Sequence, residues 1–134
     1  MTTVALRLGP GQDLKTELEA FVKRNNLAAV SVLTCVGSLT KVPLRYANQE
    51  TYEVLTGHFE ILSLTGMLSA QSGSHLHLAV SDSTGRTVGG HFGEGSAVYT
   101  TAEVLLGILP AYRFTRELDP KSGYRELVIQ KKSR

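Results

Sequence analysis

The chain has 134 residues, one cysteine and a formal net charge of +2, and its 14 basic and 12 acidic side chains are spread along its length. This length predicts a single domain over residues 1–134. The even spread of charge is a weak footprint for nucleic-acid binding, since the only basic run is Lys131-Lys132-Ser133-Arg134. No apolar run predicts a membrane anchor, and the lone Cys35 excludes an internal disulfide. We therefore expect an intracellular protein, with the cytoplasm as the first expectation and the nucleus as the alternative.

The first residues predict a strand and then a helix. A strand over residues 4–8 ends at Pro10-Gly11, and Asp13 suits the N-cap position of the helix that follows. Apolar residues recur at helical spacing after this cap: Leu14, Leu18, Phe21 and Val22. Asn25-Asn26 is expected to end the helix.

From residue 28 onward, β signals separated by turn residues dominate the chain. Strands are predicted over residues 28–36, 42–46, 51–55, 59–64, 75–80, 86–92, 98–106 and 125–129. Residues 97–109 could also be helical, but their β-branched side chains favour a strand. The glycines between these segments are interpreted as tight corners. The pattern predicts an α+β fold with a mainly antiparallel sheet or partly open barrel, and one helix in its N-terminal half.

Three of the four histidines fall within 17 residues of the chain, at His75, His77 and His91. Because successive side chains on a strand point to opposite faces, His75 and His77 should project from one face while Leu76 and Leu78 line the other. Two adjacent imidazoles and a third from a neighbouring strand form a facial set that leaves open positions on a divalent ion. The pattern therefore predicts a metal site, with zinc as the first candidate.

The third histidine depends on the register of the hairpin that joins the two strands. A loop of two or four residues would place His91 opposite Leu76, on the wrong face. A loop with an odd number of residues, or a bulge at Gly89-Gly90, would bring His91 to the face of His75 and His77. The alternative is a subunit interface at which His91 serves a neighbouring copy. Asp82 is expected to hold the turn rather than a metal.

Several motifs occur in an order that resembles the Plants and Prokaryotes Conserved (PPC) domain over nearly the whole chain. They are Gly37-Ser38-Leu39, Leu44-Arg45, the segment Gly57-His58-Phe59-Glu60-Ile61-Leu62-Ser63-Leu64-Thr65-Gly66, the His75/His77 strand and Val88-Gly89-Gly90-His91. The resemblance implies an α+β fold, a homotrimer and, in the prokaryotic type, a metal at the positions of the three histidines.

The plant branch of this family adds an AT-hook with an Arg-Gly-Arg-Pro core, and this chain has no Arg-Gly dipeptide. In that branch the segment matching Gly57 to Leu62 is linked to recruitment of partners, and His58 here replaces an arginine. This resemblance makes residues 57–62 a candidate trimer or partner motif. It also leaves association with DNA as an implication of the family alone.

Three functional hypotheses follow from these observations. The favoured one is a small trimeric metal-binding module with an unidentified small-molecule or protein partner. The second is a metal-dependent lyase-like enzyme, because the PPC fold looks similar to that of acetolactate decarboxylase. In this enzyme Glu60 or Glu103 would act as acid or base, and Arg45 or Arg116 would hold a small carbonyl or anionic substrate. The third is a DNA-associated assembly protein.

Overall fold

The computed structural model describes residues 1–133 and contains one α-helix and eight β-strands in that range. The elements, in chain order, are β1 (Thr2–Leu8), α1 (Leu14–Arg24), β2 (Val30–Arg45), β3 (Glu53–Ser69), β4 (Gly73–Ser81), β5 (Thr87–Phe92), β6 (Ala97–Ile108), β7 (Tyr112–Leu118) and β8 (Arg125–Lys131). Arg134, the last residue of the basic run, lies outside the described residues. Strand β6 confirms that residues 97–106 are extended rather than helical.

Six strands form one antiparallel sheet in the order β1-β6-β2-β3-β4-β5, and β5 pairs back onto β2. This return pairing joins Leu44 to Phe92 and Arg45 to His91, and it closes β2, β3, β4 and β5 into a barrel-like unit. Strands β7 and β8 form a separate hairpin. The α+β class with a partly closed antiparallel sheet is therefore confirmed.

Helix α1 begins and ends where the sequence predicted. The Asp13 carboxylate accepts hydrogen bonds from the Thr16 backbone N–H at 3.4 Å, the Gly95 N–H at 2.8 Å and the Ser96 hydroxyl at 2.9 Å. Burial raises the pKa of Asp13, but these hydrogen bonds together outweigh it and leave the pKa below its usual value. The same carboxylate thus caps the helix and ties it to the chain before β6. The helix buries Leu14, Leu18 and Val22 against the sheet.

Two expectations about strand boundaries were wrong. The predicted strands 28–36 and 42–46 are one strand, β2, and the predicted strands 51–55 and 59–64 are both part of β3. Gly37 and Gly57, interpreted as corners, lie inside these strands with φ near 150°. A Cβ on Gly37 would lie 2.1 Å from the Thr101 carbonyl oxygen, so glycine here permits close approach of β2 and β6. The pairing of these two strands shifts register just after Gly37, which lets the long strand continue.

The core is formed by α1 and the buried side chains of the large sheet, whereas several apolar side chains remain exposed on the sheet. Cys35 is a buried free thiol, and burial together with the Glu103 carboxylate raises its pKa to about 12. Val36 and Leu62, from neighbouring strands, are 57% and 54% exposed. Within residues 1–133, no helix has both the length and the apolar character needed to cross a membrane.

Candidate metal centre

The hairpin of β4 and β5 sets the register that brings the third histidine to the site. Ser81 pairs with Thr87, which leaves a five-residue loop over residues 82–86, and His77 then lies directly opposite His91. The Asp82 carboxylate accepts hydrogen bonds from the Thr84 and Arg86 backbone N–H groups at 2.9 and 3.1 Å. The prediction of an odd loop is confirmed, and the turn role of Asp82 is confirmed with it. All three histidines come together within one chain.

The three imidazoles form a compact cluster on the face of the hairpin opposite the core. Their ring centroids are 5.0 Å apart for His75–His77, 5.1 Å for His75–His91 and 5.7 Å for His77–His91. One ring nitrogen from each histidine can be chosen so that all three lie within 4.8 Å of one another. On the other face of β4, Leu76, Leu78 and Val80 are 0%, 1% and 0% exposed. Strand alternation therefore produces both the cluster and the core beneath it.

Glycines in the neighbouring strands permit the close backbone contacts that hold this cluster. Gly66 in β3 pairs with Leu76, and a Cβ on Gly66 would lie 1.9 Å from the His75 carbonyl oxygen. A Cβ on Gly90 in β5 would lie 2.7 Å from the Arg45 carbonyl oxygen. The first contact sets the distance between β3 and β4, and the second lets β5 close onto β2 beside His91.

Two of the three histidines have pKa values that favour the neutral imidazole. Burial, followed by the positive charge of Arg45 and then the other two histidines, lowers the pKa of His91 from 6.5 to about 4. Burial and Arg116 also lower the pKa of His75, with smaller contributions from His77 and Arg45, while Glu126 opposes them. Neutral imidazole carries the lone pair that a metal requires. At neutral pH the site therefore presents His75 and His91 as uncharged donors.

The arrangement supplies three of the four donors that a tetrahedral transition metal takes. Zinc lies about 2.0–2.1 Å from each imidazole nitrogen, so a tetrahedral ion needs nitrogens about 3.4 Å apart. The three ring nitrogens lie within 4.8 Å of one another, so this group of histidines could hold such an ion. Three nitrogen donors leave at least one position open for water or an exogenous ligand.

Charged side chains from three parts of the fold line the two cavities beside the cluster. A cavity of 420 Å³ is lined by Arg45, Arg116 and Glu126 together with His75 and His91. An adjoining cavity of 290 Å³ is lined by His75, His77, Arg116 and Glu126, with Thr65 and Met67 of β3. The structure thus places the predicted Arg45 and Arg116 next to the histidines. Sequence reasoning missed Glu126, because only the position of the β7–β8 hairpin brings this residue to the site.

The other candidate side chains lie outside these two cavities. Glu60 pairs with Ser38 and Ser81 on the outer part of β3, and Glu103 lies on β6 opposite Arg7 and Val36. In the candidate partner motif Gly57, His58, Phe59, Glu60, Ile61 and Leu62, the phenylalanine and isoleucine point into the core. The His58 ring lies 4.6 Å from the Tyr99 ring, and this histidine is not in the metal-ligand cluster.

A family model and several known proteins match this chain. Residues 1–110 match the Plants and Prokaryotes Conserved (PCC) domain, the family abbreviated above as PPC. A Salmonella hypothetical protein of known structure is 49% identical, covers 98% of this chain and 95% of its own, and superposes with a TM-score of 0.95. A metal-containing protein from Archaeoglobus fulgidus is 26% identical, with coverage of 96% and 94% and a TM-score of 0.81.

A third relative is a much longer protein. Bifunctional protein GlmU from Synechococcus sp. (strain JA-3-3Ab) is 52% identical over 126 residues, which is 94% of this chain and 20% of that protein. This chain therefore spans about one fifth of the length of the curated relatives it matches. The family match over residues 1–110 agrees with the three-histidine hairpin and the partly closed sheet, and we conclude that this chain belongs to the Plants and Prokaryotes Conserved domain family.

Proposed function

We propose that this protein is a metal-binding module in which His75, His77 and His91 hold one divalent transition metal, with zinc as the first candidate. The observation that carries the proposal is the convergence of three ring nitrogens within 4.8 Å on two paired strands. The similarity to a metal-containing protein from Archaeoglobus fulgidus supports it. A metal held in this way supplies Lewis acidity at its open position.

The role of a module is supported by the GlmU relatives, in which a segment 50–52% identical to this chain makes up one fifth of a longer protein. In a longer protein, such a segment can bind a ligand or partner for the other domains of the same chain. We further infer an intracellular location, which suits the buried, unpaired thiol of Cys35.

We also infer a homotrimer built through the outer face of the sheet. Val36 and Leu62 are more than half exposed. Gly37 pairs with Ile61 in the antiparallel register of β2 and β3, so Val36 and Leu62, which lie directly beside this pair, are side by side. Leu62 ends the candidate partner motif over residues 57–62. Adjacent exposed apolar side chains of this kind favour burial against another copy of the chain.

A second candidate function is a metal-dependent, lyase-like activity on a small carbonyl or anionic substrate. The observation that favours it is the position of Arg45 and Arg116 in the cavities beside the histidines. The carboxylates predicted from the sequence, Glu60 and Glu103, do not line these cavities, whereas Glu126 does. Glu126 is therefore the acid or base that this alternative would use. Among residues 1–133 we find no comparable feature for DNA binding, and the net charge of +2 gives a weak attraction to phosphates.

Metal analysis of the untagged protein tests the principal proposal. We expect about one transition metal per chain in the wild type and in the control variant His58→Ala, which removes a histidine outside the cluster. The double variant His75→Ala/His77→Ala should lose this metal but keep the same native mass, three times that of the chain. Equal metal content in both variants would overturn the metal site, and a monomeric native mass in the wild type would overturn the trimer.

A further inference from the structure

The cavity beside the three histidines contains more charge than metal binding requires. Arg45 comes from the end of β2, Arg116 from β7 and Glu126 from β8, and all three line the 420 Å³ cavity together with His75 and His91. These residues are separated by as many as 81 positions in sequence. Only the closure of the barrel and the placement of the β7–β8 hairpin bring them to one side of the cluster.

A third arginine, Arg125, also lines this cavity, but it is Arg45 and Arg116 that keep hydrogen-bonding capacity free for a ligand. Arg45 donates one hydrogen bond, from Nη1 to the Gln49 carbonyl oxygen at 3.2 Å, which holds its side chain without neutralising it. Within residues 1–133, neither Arg45 nor Arg116 has a carboxylate oxygen within 4.0 Å. Guanidinium groups bind carboxylates with paired, charge-assisted hydrogen bonds. The cavity can therefore receive an anion without first breaking an ion pair.

Hydrogen bonds hold the backbone of the β7–β8 hairpin in place beside the cavity. Arg125 donates a hydrogen bond from Nη2 to the Arg116 carbonyl oxygen at 2.8 Å, which links β8 to β7 beside the cavity. Phe114, two residues before Arg116, is 4% exposed, and its carbonyl oxygen accepts a hydrogen bond from the Ser69 hydroxyl at 2.9 Å. The hairpin is thus anchored to the end of β3, and it presents Arg116 and Glu126 from a fixed position.

Glu126 adds a requirement that the arginines alone do not impose. An ionised carboxylate only accepts hydrogen bonds, so a ligand that approaches Glu126 favourably must offer a donor such as a hydroxyl group. A keto oxygen at the same place would face the carboxylate without a proton between them. The cavity therefore combines a carboxylate-binding part with a part that selects for a hydroxyl.

We propose that the site binds a small 2-hydroxycarboxylate, with the ligand carboxylate on Arg45 and Arg116, its hydroxyl directed to Glu126, and its hydroxyl oxygen near the open metal position. This inference rests on the proposed metal-binding function. It goes further by naming the ligand class and by assigning selectivity for a hydroxyl over a keto group to Glu126.

The experiment is calorimetric titration of the metal-loaded, full-length protein with 2-hydroxyglutarate, 2-oxoglutarate and glutarate. We expect the order 2-hydroxyglutarate, 2-oxoglutarate and glutarate from tightest to weakest. Replacing both arginines, Arg45→Gln/Arg116→Gln, should weaken 2-hydroxyglutarate at least about tenfold, as expected for loss of charge-assisted hydrogen bonds. Arg113→Gln is the matched control, because Arg113 lies on β7 but is exposed and does not line the cavity.

Glu126→Gln tests the selectivity independently of affinity. An amide can donate a hydrogen bond to a keto oxygen, so this variant should reduce the preference for 2-hydroxyglutarate over 2-oxoglutarate. Metal content is measured on every sample. Full metal content with no binding of 2-hydroxyglutarate, or with equal binding in the double arginine variant, overturns the ligand assignment alone. Absence of metal from the wild type overturns the metal site and this inference together.

Discussion

The two faces of strand β4 differ in what holds their side chains in place. On one face, Leu76, Leu78 and Val80 are fully enclosed by the core. On the other face, His75 and His77 are exposed to solvent, and their positions depend on pairing with β3 and β5. One strand thus carries core residues on one face and candidate metal ligands on the other.

This difference teaches that the core face supplies stability while the histidine face supplies geometry. Enclosed leucines resist unfolding because their removal leaves a cavity. The histidines contribute little buried apolar area, so their value lies in how accurately the strands align them. Substitutions on the two faces should therefore have separable effects on stability and on metal binding.

The largest expected effect comes from Leu78→Ala on the core face. Leu78 is 1% exposed, so its truncation should lower the free energy of unfolding by about 2–5 kcal/mol. Urea denaturation measures this loss, and metal analysis of the folded fraction should still show a full complement. Leu118→Ala is the matched control: it makes the same deletion at a side chain that is 67% exposed and should change stability by less than about 0.5 kcal/mol. A loss of metal from folded Leu78→Ala protein would contradict the separation of the two faces.

Gly66→Ala should affect both stability and metal binding, and its loss of stability should be smaller than that of Leu78→Ala. Its φ of 139° is rarely adopted by other residues, and its new Cβ would lie 1.9 Å from the His75 carbonyl oxygen. Backbone strain of this kind costs about 1–3 kcal/mol, and the forced separation of β3 and β4 should displace His75 and weaken metal affinity. Metal titration and urea denaturation on the same sample measure the two effects. Gly9→Ala, whose nearest non-neighbouring atom is 3.8 Å from the added Cβ, should change neither.

The smallest effect is the pH dependence of the metal-free protein. The pKa of His91 is about 4 in the folded chain and 6.5 as its ordinary value, so the unfolded chain binds the proton more tightly. The contribution of this pKa difference to the free energy of unfolding is fully present above pH 6.5 and is lost as the pH falls toward 4. In the presence of a chelator, the urea midpoint should therefore be lower at pH 5 than at pH 7.

His91→Gln should reduce that difference in midpoint, whereas His58→Gln should leave it as in the wild type. An undiminished difference in His91→Gln would show that other groups produce it. Asp13 does not interfere in this range, because its lowered pKa places its own contribution at more acidic pH.

Local patterns were sufficient for the helix, the β4–β5 hairpin and the histidine cluster. Asp13 and the spacing of Leu14, Leu18 and Val22 are local signals, and the odd loop follows from the requirement that His91 face His77. The continuity of β2 and β3 was missed because Gly37 and Gly57 serve close packing between strands rather than chain reversal. That distinction depends on which strand lies alongside.

The surroundings of the cluster were less predictable than the cluster itself. Arg116 was considered for its charge, but no local pattern connects Glu126 to a histidine 35 residues or more away. Its position follows from the docking of β7 against the end of β3, where Ser69 and Phe114 are joined. Tertiary placement of this kind leaves no periodic signature in the sequence.

The pairing of β5 with β2 extends over only two residue pairs, Leu44–Phe92 and Arg45–His91. Among the strand pairings that close the barrel, this short one should be lost first under mechanical tension. His91 is part of this pairing but is also paired with His77, so its loss would leave the three histidines together on the β4–β5 hairpin and would move Arg45 away from them. An ion shared among the three side chains would link β4 to β5 and remain on the hairpin, so an opened barrel would keep its metal and lose the guanidinium group of Arg45 from the site.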